Sequence, residues 1–195
     1  MIRLNSQNLK KYAKIVNNDE KYGKEAKLIK KVLLKYPLNK DILAVAIKIA
    51  IIDITNNTNI SKHKKFVSLY DLAKHICSIN NFDKRLQKGD VTLVNQIANV
   101  KGKRNFFSFA TKYCCYHNYY IYKKDYYSIF DGVVIKNLPK YNEKIKSSWL
   151  KKCKENYDYN SFNEAINKTL DMNNIRIKNK KRYFDWFLWY PNKNK

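Results

Sequence analysis

Glycine and proline are scarce in this chain, with four and three residues among 195. So few glycines leave no Gly-rich loop of the kind that cradles nucleotide phosphates through successive backbone N–H groups. No apolar/polar alternation runs long enough to build a sheet, and no internal repeat is visible. Acid is the second shortage: sixteen Asp plus Glu stand against forty Lys plus Arg, a formal charge of +24. That balance points to a polyanion as partner, nucleic acid ahead of an anionic membrane. Arginine is the third, at five of the forty cations. Lysine meets phosphate as a point charge, whereas base reading favours the arginine fork, so the expected binding is largely non-specific and salt-sensitive. The abundance of Lys, Asn, Ile and Tyr is also what AT-rich codons produce without selection for binding.

The four cysteines, Cys77, Cys114, Cys115 and Cys153, form no CxxC pair and no CxxC…His spacing, so neither a zinc site nor any other metal or cofactor is expected. Adjacent Cys114 and Cys115 read as small apolar helix residues. The first residues, MIRLNSQNLKKYAKIV, lack the apolar stretch and small-residue cleavage site of a secretory signal, and a cytoplasmic, reduced setting is expected. The longest apolar run, Ile42 to Ile54, holds Lys48 and Asp53 and is too short to span a bilayer, so no membrane insertion is expected.

What is present is helical spacing. Residues 6 to 35 carry apolar faces at Leu9, Tyr12, Ile15 and Val16, then at Ala26, Ile29, Val32 and Leu33, broken at Asn17 to Glu20. Pro37 ends the second helix. Asn39 is placed to cap the next, whose apolar residues from Ile42 to Ile51 leave almost no polar face and predict a central helix. Ser68 and Asp71 have capping-box spacing, and Asp90 after Gly89 can cap a helix that runs into Lys101-Gly102-Lys103-Arg104. A further helix starts at Phe106 or Phe107 and ends by Asn118; Tyr141 to Asp158 and Phe162 to Leu170 read as two more. Six aromatics among the eight residues Tyr183 to Tyr190 predict a C-terminal helix held against the core. The fold class expected is all-α over residues 1–195, as one domain or two lobes, with a helix-hairpin-helix-like unit at 90–118.

Ser108 and Lys112 are four apart and face the same way, and a lone acid, Asp131, follows in Ile129-Phe130-Asp131-Gly132-Val133-Val134. On these residues the chain resembles the helix-hairpin-helix DNA glycosylases of the endonuclease-III-like superfamily. There a hairpin leads into a helix with the catalytic lysine, and an apolar-Asp-x-x-Val segment supplies an essential aspartate. Phrases around Ser108 to Tyr113 and Asp125 to Asp131 are also similar to an uncharacterised bacterial family. The glycosylase resemblance implies base excision on double-stranded DNA, with Asp131 essential. Lys112 is the Schiff-base nucleophile under one alignment; Ser108 takes that place in an enzyme without lyase activity under the other. The basic stretch Lys101, Gly102, Lys103 and Arg104 reads as a turn whose backbone N–H groups and cations hold a phosphate of the nucleic-acid backbone, or more plainly as an exposed connection in a lysine-rich protein. Thr55, Asn56 and Asn57, after the apolar helix, would enter the space left by an extruded base, and His117 is a further pocket candidate. The family's double-glycine hairpin is absent, as is the iron-sulfur cysteine cluster of some members.

The resemblance gives a coherent chemistry. A buried carboxylate stabilises an oxocarbenium-like sugar, and an amine attacks once it is neutral. Each residue also has a plainer reading: Asp131 as a helix cap, Lys112 as a solvated lysine, Thr55 to Asn59 as a capping turn, His117 as a core residue. A non-catalytic nucleic-acid-binding protein, or a protein-interaction or host-defence module whose charge reflects codon usage, are the other function classes.

Overall fold

Helices make up nearly all of the regular structure. The computed structural model describes residues 2–60, 67–100 and 104–192, with eleven α-helices among them. They are α1 (Ser6–Asn18), α2 (Tyr22–Lys35), α3 (Ile42–Asn56), α4 (Leu69–Ser78), α5 (Phe82–Lys88), α6 (Thr92–Ala98), α7 (Phe107–Tyr120), α8 (Gly132–Asn137), α9 (Ser147–Glu155), α10 (Tyr159–Met172) and α11 (Lys180–Trp189). Between α6 and α7 lies a two-residue antiparallel ladder, β1 (Asn99–Val100) with β2 (Arg104–Asn105), pairing Asn99 with Asn105 and Val100 with Arg104. The fold is all-α. No helix among the described residues is long and apolar enough to cross a membrane.

Helix α7, rather than α3, is the central element. Twelve of its residues are buried, leaving only Ser108 and Tyr119 partly open. The long apolar run in α3 is buried at Val45, Ile49 and Ile52, but Leu43 and Ile54 are 71% and 72% exposed. The Tyr- and Cys-rich composition of α7 hides this centrality from a hydropathy reading, because tyrosine and histidine are scored as polar and yet bury well when their polar ends are bonded. Around α7 sit α6, α5, α2 and α3, while α1 lies against α11 and brings the two ends of the chain together. The aromatics of α11 join the core as expected, with Phe184, Trp186 and Phe187 buried.

Local signals account for several boundaries. Ser68 accepts from the Asp71 N–H at 3.0 Å and its hydroxyl donates to the Asp71 carboxylate at 2.8 Å, as the capping-box spacing predicts. Asp90 accepts from the Thr92 N–H at 3.0 Å at the start of α6. Gly89 closes α5 at φ +80°, and a Cβ there would lie 2.6 Å from the Tyr126 ring.

Other expectations are corrected. Asp41, not Asn39, caps α3, accepting from Ala44 N–H at 2.6 Å. Helix α7 runs two residues past Asn118. Residues 141–146 are not helical, so the segment from Tyr141 to Asp158 holds only α9; the short helix α5 was not anticipated, and α8 only as the helix that Asp131 would cap. Helix α5 has seven residues and no capping side chain, so neither periodicity nor a start signal marks it in the sequence. The four cysteines are free.

Asn39 has a different task. Its side-chain oxygen accepts from Lys48 Nζ at 2.6 Å and from the Tyr113 hydroxyl at 2.5 Å, and its amide donates to Asp83 at 2.6 Å. Lys48 is fully buried and also donates to the Leu38 carbonyl at 2.8 Å. Burial pushes its ammonium down to about 8, against the opposing pull of Asp83. One amide thus joins α3, α5 and α7, and its partners Lys48 and Tyr113 are fully buried, with no water to fall back on. Replacing it, as Asn39→Ala, is expected to lower unfolding stability by about 3 kcal/mol in urea titrations; a loss under about 1 kcal/mol would show the network to be dispensable.

Candidate active site

The position of Asp131 is set by its neighbours in the chain. Phe130 is buried edge-on against Phe107 at 5.1 Å and Phe162 at 4.9 Å, and its N–H donates to Thr111 Oγ1 at 3.0 Å. With Phe130 fastened to α7, the next residue turns outward beside Lys112, one position after Thr111. Asp131 Oδ1 caps α8, accepting from the Val133 and Val134 N–H groups at 3.0 and 3.1 Å. Its Oδ2 lies 3.5 Å from Lys112 Nζ, the two side chains being 19% and 9% exposed. The helix-cap reading and the paired-acid reading are therefore both realised, by different oxygens of one carboxylate.

This pair lines a cavity of about 290 Å³. Thr55, Asn56 and Asn57 line it too, brought from the C-terminal end of α3. Tyr116, one turn beyond Lys112, donates its hydroxyl to Asn56 Oδ1 at 2.5 Å and so holds that end of α3 against α7. Thr55 Oγ1 donates to the Ile51 carbonyl at 2.7 Å and Asn56 Nδ2 to the Ile52 carbonyl at 3.1 Å, so both also close their own helix. Asn57 takes the left-handed conformation that ends α3, at φ 49°.

Helix α11 contributes Arg182 and Asp185, which the sequence reading missed, and Trp186 and Trp189, which it placed among the aromatics of a core-packing C-terminal helix. The Arg182 guanidinium lies between the rings of Tyr116 and Trp186, at 4.7 and 4.5 Å, and donates to Asp185 Oδ2 at 2.6 Å. Its Nε is buried without a partner. Trp189 meets Tyr22 of α2 edge-on at 4.5 Å, and Tyr22 and Glu25 complete that wall. Burial pushes the Asp185 carboxyl up to about 6; Arg182 and Lys112 pull it down, and Asp131 pushes it up. Two cation–acid pairs thus share one aromatic-walled cavity and act on each other. The dense aromatic run at 183–190 was the available signal for this wall, but its bulk disguised the charged pair within it.

The remaining candidates lie elsewhere. Ser108 lines no part of the cavity. His117 is fully buried in the core, its Nδ1 on the Tyr113 carbonyl at 2.8 Å and its ring 4.3 Å from that of Tyr113. Burial holds its imidazole well below the usual range, which keeps it neutral. It is not part of the cavity. Lys101, Gly102 and Lys103, and the side chain of Arg104, lie outside the described residues. Among the described residues no group of three or more His, Cys, Asp or Glu is arranged to hold a metal ion.

Comparison with known proteins places the chain by its first two thirds. The HI_0787_N family, described as an N-terminal domain, matches residues 8–125. The chain belongs to that family. An uncharacterised protein of Haemophilus influenzae is 32% identical over 142 residues, covering 71% of this chain and 64% of that protein. This HI_0787_N member therefore spans a little under two thirds of that relative's length. No solved structure matches. Neither match carries an activity. The HI_0787_N segment contains α1 to α7, with Thr55 to Asn57 and Lys112, whereas Asp131, Arg182 and Asp185 lie beyond residue 125. The cavity thus joins residues from the family domain to residues C-terminal to it.

The coupling of the two pairs can be measured. In a carbon-detected NMR titration the Asp185 carboxyl is expected to titrate near 6. Arg182→Gln and Lys112→Gln should move it upward and Asp131→Asn downward, because the first two remove cations and the third an anion. The folded group holds its proton to higher pH than the unfolded one, so its contribution to stability is lost as pH rises from 3.8 to about 6. A titration unmoved by all three substitutions would refute the coupling.

Proposed function

We propose that this protein is a nucleic-acid-binding base-excision glycosylase that opens an N-glycosidic bond of a nucleotide extruded from double-stranded DNA. The observation that carries the reading is the Lys112–Asp131 pair, 3.5 Å apart in an aromatic-walled cavity. The two residues are nineteen positions apart in the chain, and Thr55 to Asn57 reach the same cavity from more than fifty residues before Lys112. The formal charge of +24 supports a polyanionic partner. A cavity walled by Tyr22, Trp186 and Trp189 suits a flat, unstacked base.

Of the two alignments, the geometry supports the one with Lys112 as nucleophile, since Ser108 lies outside the cavity. Lys112 gives up a proton, for which Asp131 is an acceptor at 3.5 Å. Its amine then attacks the anomeric carbon as the carbon–nitrogen bond breaks. The electron pair leaves with the base, which takes up a proton. Ring opening of the sugar yields a Schiff base on Lys112, which hydride reduces to a stable amine. Asp131 meanwhile faces the positive charge that develops on the sugar.

One observation favours the non-catalytic alternative: Asp131 already serves as the α8 cap. The test separates the two roles, because Asn caps a helix as well as Asp does but carries no charge. Wild type and Asp131→Asn are incubated with labelled duplexes bearing oxidised, alkylated, deaminated or normal bases, then treated with alkali. Strand breaks from wild type, reduced by about 10²- to 10⁴-fold in Asp131→Asn, are expected. Borohydride should trap a covalent protein–DNA adduct that Lys112→Gln cannot form. Intact strands with DNA still bound would leave a binding protein only.

A further inference from the structure

A second cavity, of about 490 Å³, borders the first, with Ala26 of α2 lining both. Its walls carry Lys27, Lys30, Lys123 and Lys178, and among the described residues no carboxylate lines it. The four cations arrive from three separate stretches: α2, the turn after α7, and the segment leading into α11. Lys27, Lys30 and Lys178 have no hydrogen-bond or ion-pair partner among the described residues, although the chain holds sixteen carboxylates. Tyr120 adds a second and independent sign. It is 7% exposed, it lines this cavity, and its hydroxyl has no hydrogen-bond partner among the described residues. Asn179, also in the wall, has a side-chain amide in the same condition. A hydroxyl with no protein acceptor, beside three ammonium groups with no carboxylate partner, leaves a set of donors facing the cavity that only solvent or a ligand can take up.

We propose that this second cavity is a phosphate-binding site, filled by the backbone of the nucleic acid whose base occupies the first. The choice of nucleic acid as source rests on the glycosylase reading; the phosphate chemistry does not. Phosphate offers several acceptor oxygens and negative charge, and lysine meets it as a point charge without demanding a fixed fork. The relation between the cavities suits one continuous strand. The same helices, α2 and α7, furnish both, and α11 lines the first while the residues just before it line the second. From Lys112 to Tyr120 the advance along α7 is about 12 Å, roughly three to four nucleotide rises along a duplex strand. A strand with one nucleotide extruded at Lys112 therefore has phosphates within reach of the second cavity. This site lies at the C-terminal end of α7, whereas β2 (Arg104–Asn105) precedes the N-terminal end of that helix.

The test measures how duplex affinity, read by fluorescence anisotropy, falls with salt. Lys27→Gln, Lys30→Gln and Lys178→Gln are combined; all three side chains are exposed, so the fold is expected to hold, and an unchanged melting temperature checks this. The slope of log affinity against log salt should shrink by about two to three relative to wild type. The matching arginine triple should restore it. A control triple at Lys40, Lys84 and Lys88, which are exposed and outside the cavity, should shrink the slope less. Calorimetric titration with inorganic pyrophosphate provides the second arm. Pyrophosphate binding that the glutamine triple abolishes, with the DNA slope unaltered, would assign the site to a free phosphate compound and overturn the nucleic-acid source. No effect of the triple in either arm would overturn the site altogether. A wild type that excises no base yet shows the expected slope change would sink the glycosylase reading and keep this site; excision with no slope change would do the reverse.

Discussion

Burial of α7 on nearly every side is the constraint on which the rest of the structure depends. A helix without a solvated face cannot leave its polar side chains to water, and α7 carries many of them. Several of them therefore reach into different neighbours. Thr111 bonds the Phe130 backbone, Tyr113 donates to the Asn39 oxygen that Lys48 also reaches, Tyr116 holds Asn56, and Asn118 reaches the Leu86 carbonyl and the Tyr126 N–H. The apolar effect packs the protein, but these bonds decide where each surrounding segment sits along α7. His117 keeps its Nε2 bare in the core.

The cavity is a consequence of that arrangement. Lys112 is the one lysine on α7, and its ammonium emerges where the Thr111–Phe130 bond has placed Asp131. Tyr116 fixes the end of α3 with one edge, while its ring supports Arg182 with its face. Arg182 in turn holds Asp185, whose carboxyl feels both members of the Lys112–Asp131 pair. The site is therefore a partly buried cluster of coupled charges inside a strongly basic protein. Partial burial leaves these charges less screened by salt than a surface pair would be and makes each more sensitive to its neighbours.

Family membership adds a boundary to this picture. The matched domain ends at residue 125, within the segment that leads from α7 to Asp131. The C-terminal third of the chain supplies the second carboxylate-bearing wall through α11, which also lies against α1. The first and last helices thus close on each other beside the cavity, and Val16 of α1 and Trp186 of α11 line it together.

Much was readable from the chain alone. Helical periodicity with few glycines and prolines determined the all-α class, and capping residues such as Ser68 and Asp90 marked starts because a cap is a local event within one turn. The unusual isolation of Asp131 and its spacing from Lys112 were legible for the same local reason. The partnership of Arg182 with Asp185, the displacement of Asn39 from helix cap to buried hub, the removal of His117 and Ser108 from the site, and the burial of tyrosine-rich α7 were not. Each depends on which side chain a segment meets across the core, and that is decided by tertiary packing, where a polar residue counts as buried or exposed according to the partner it finds.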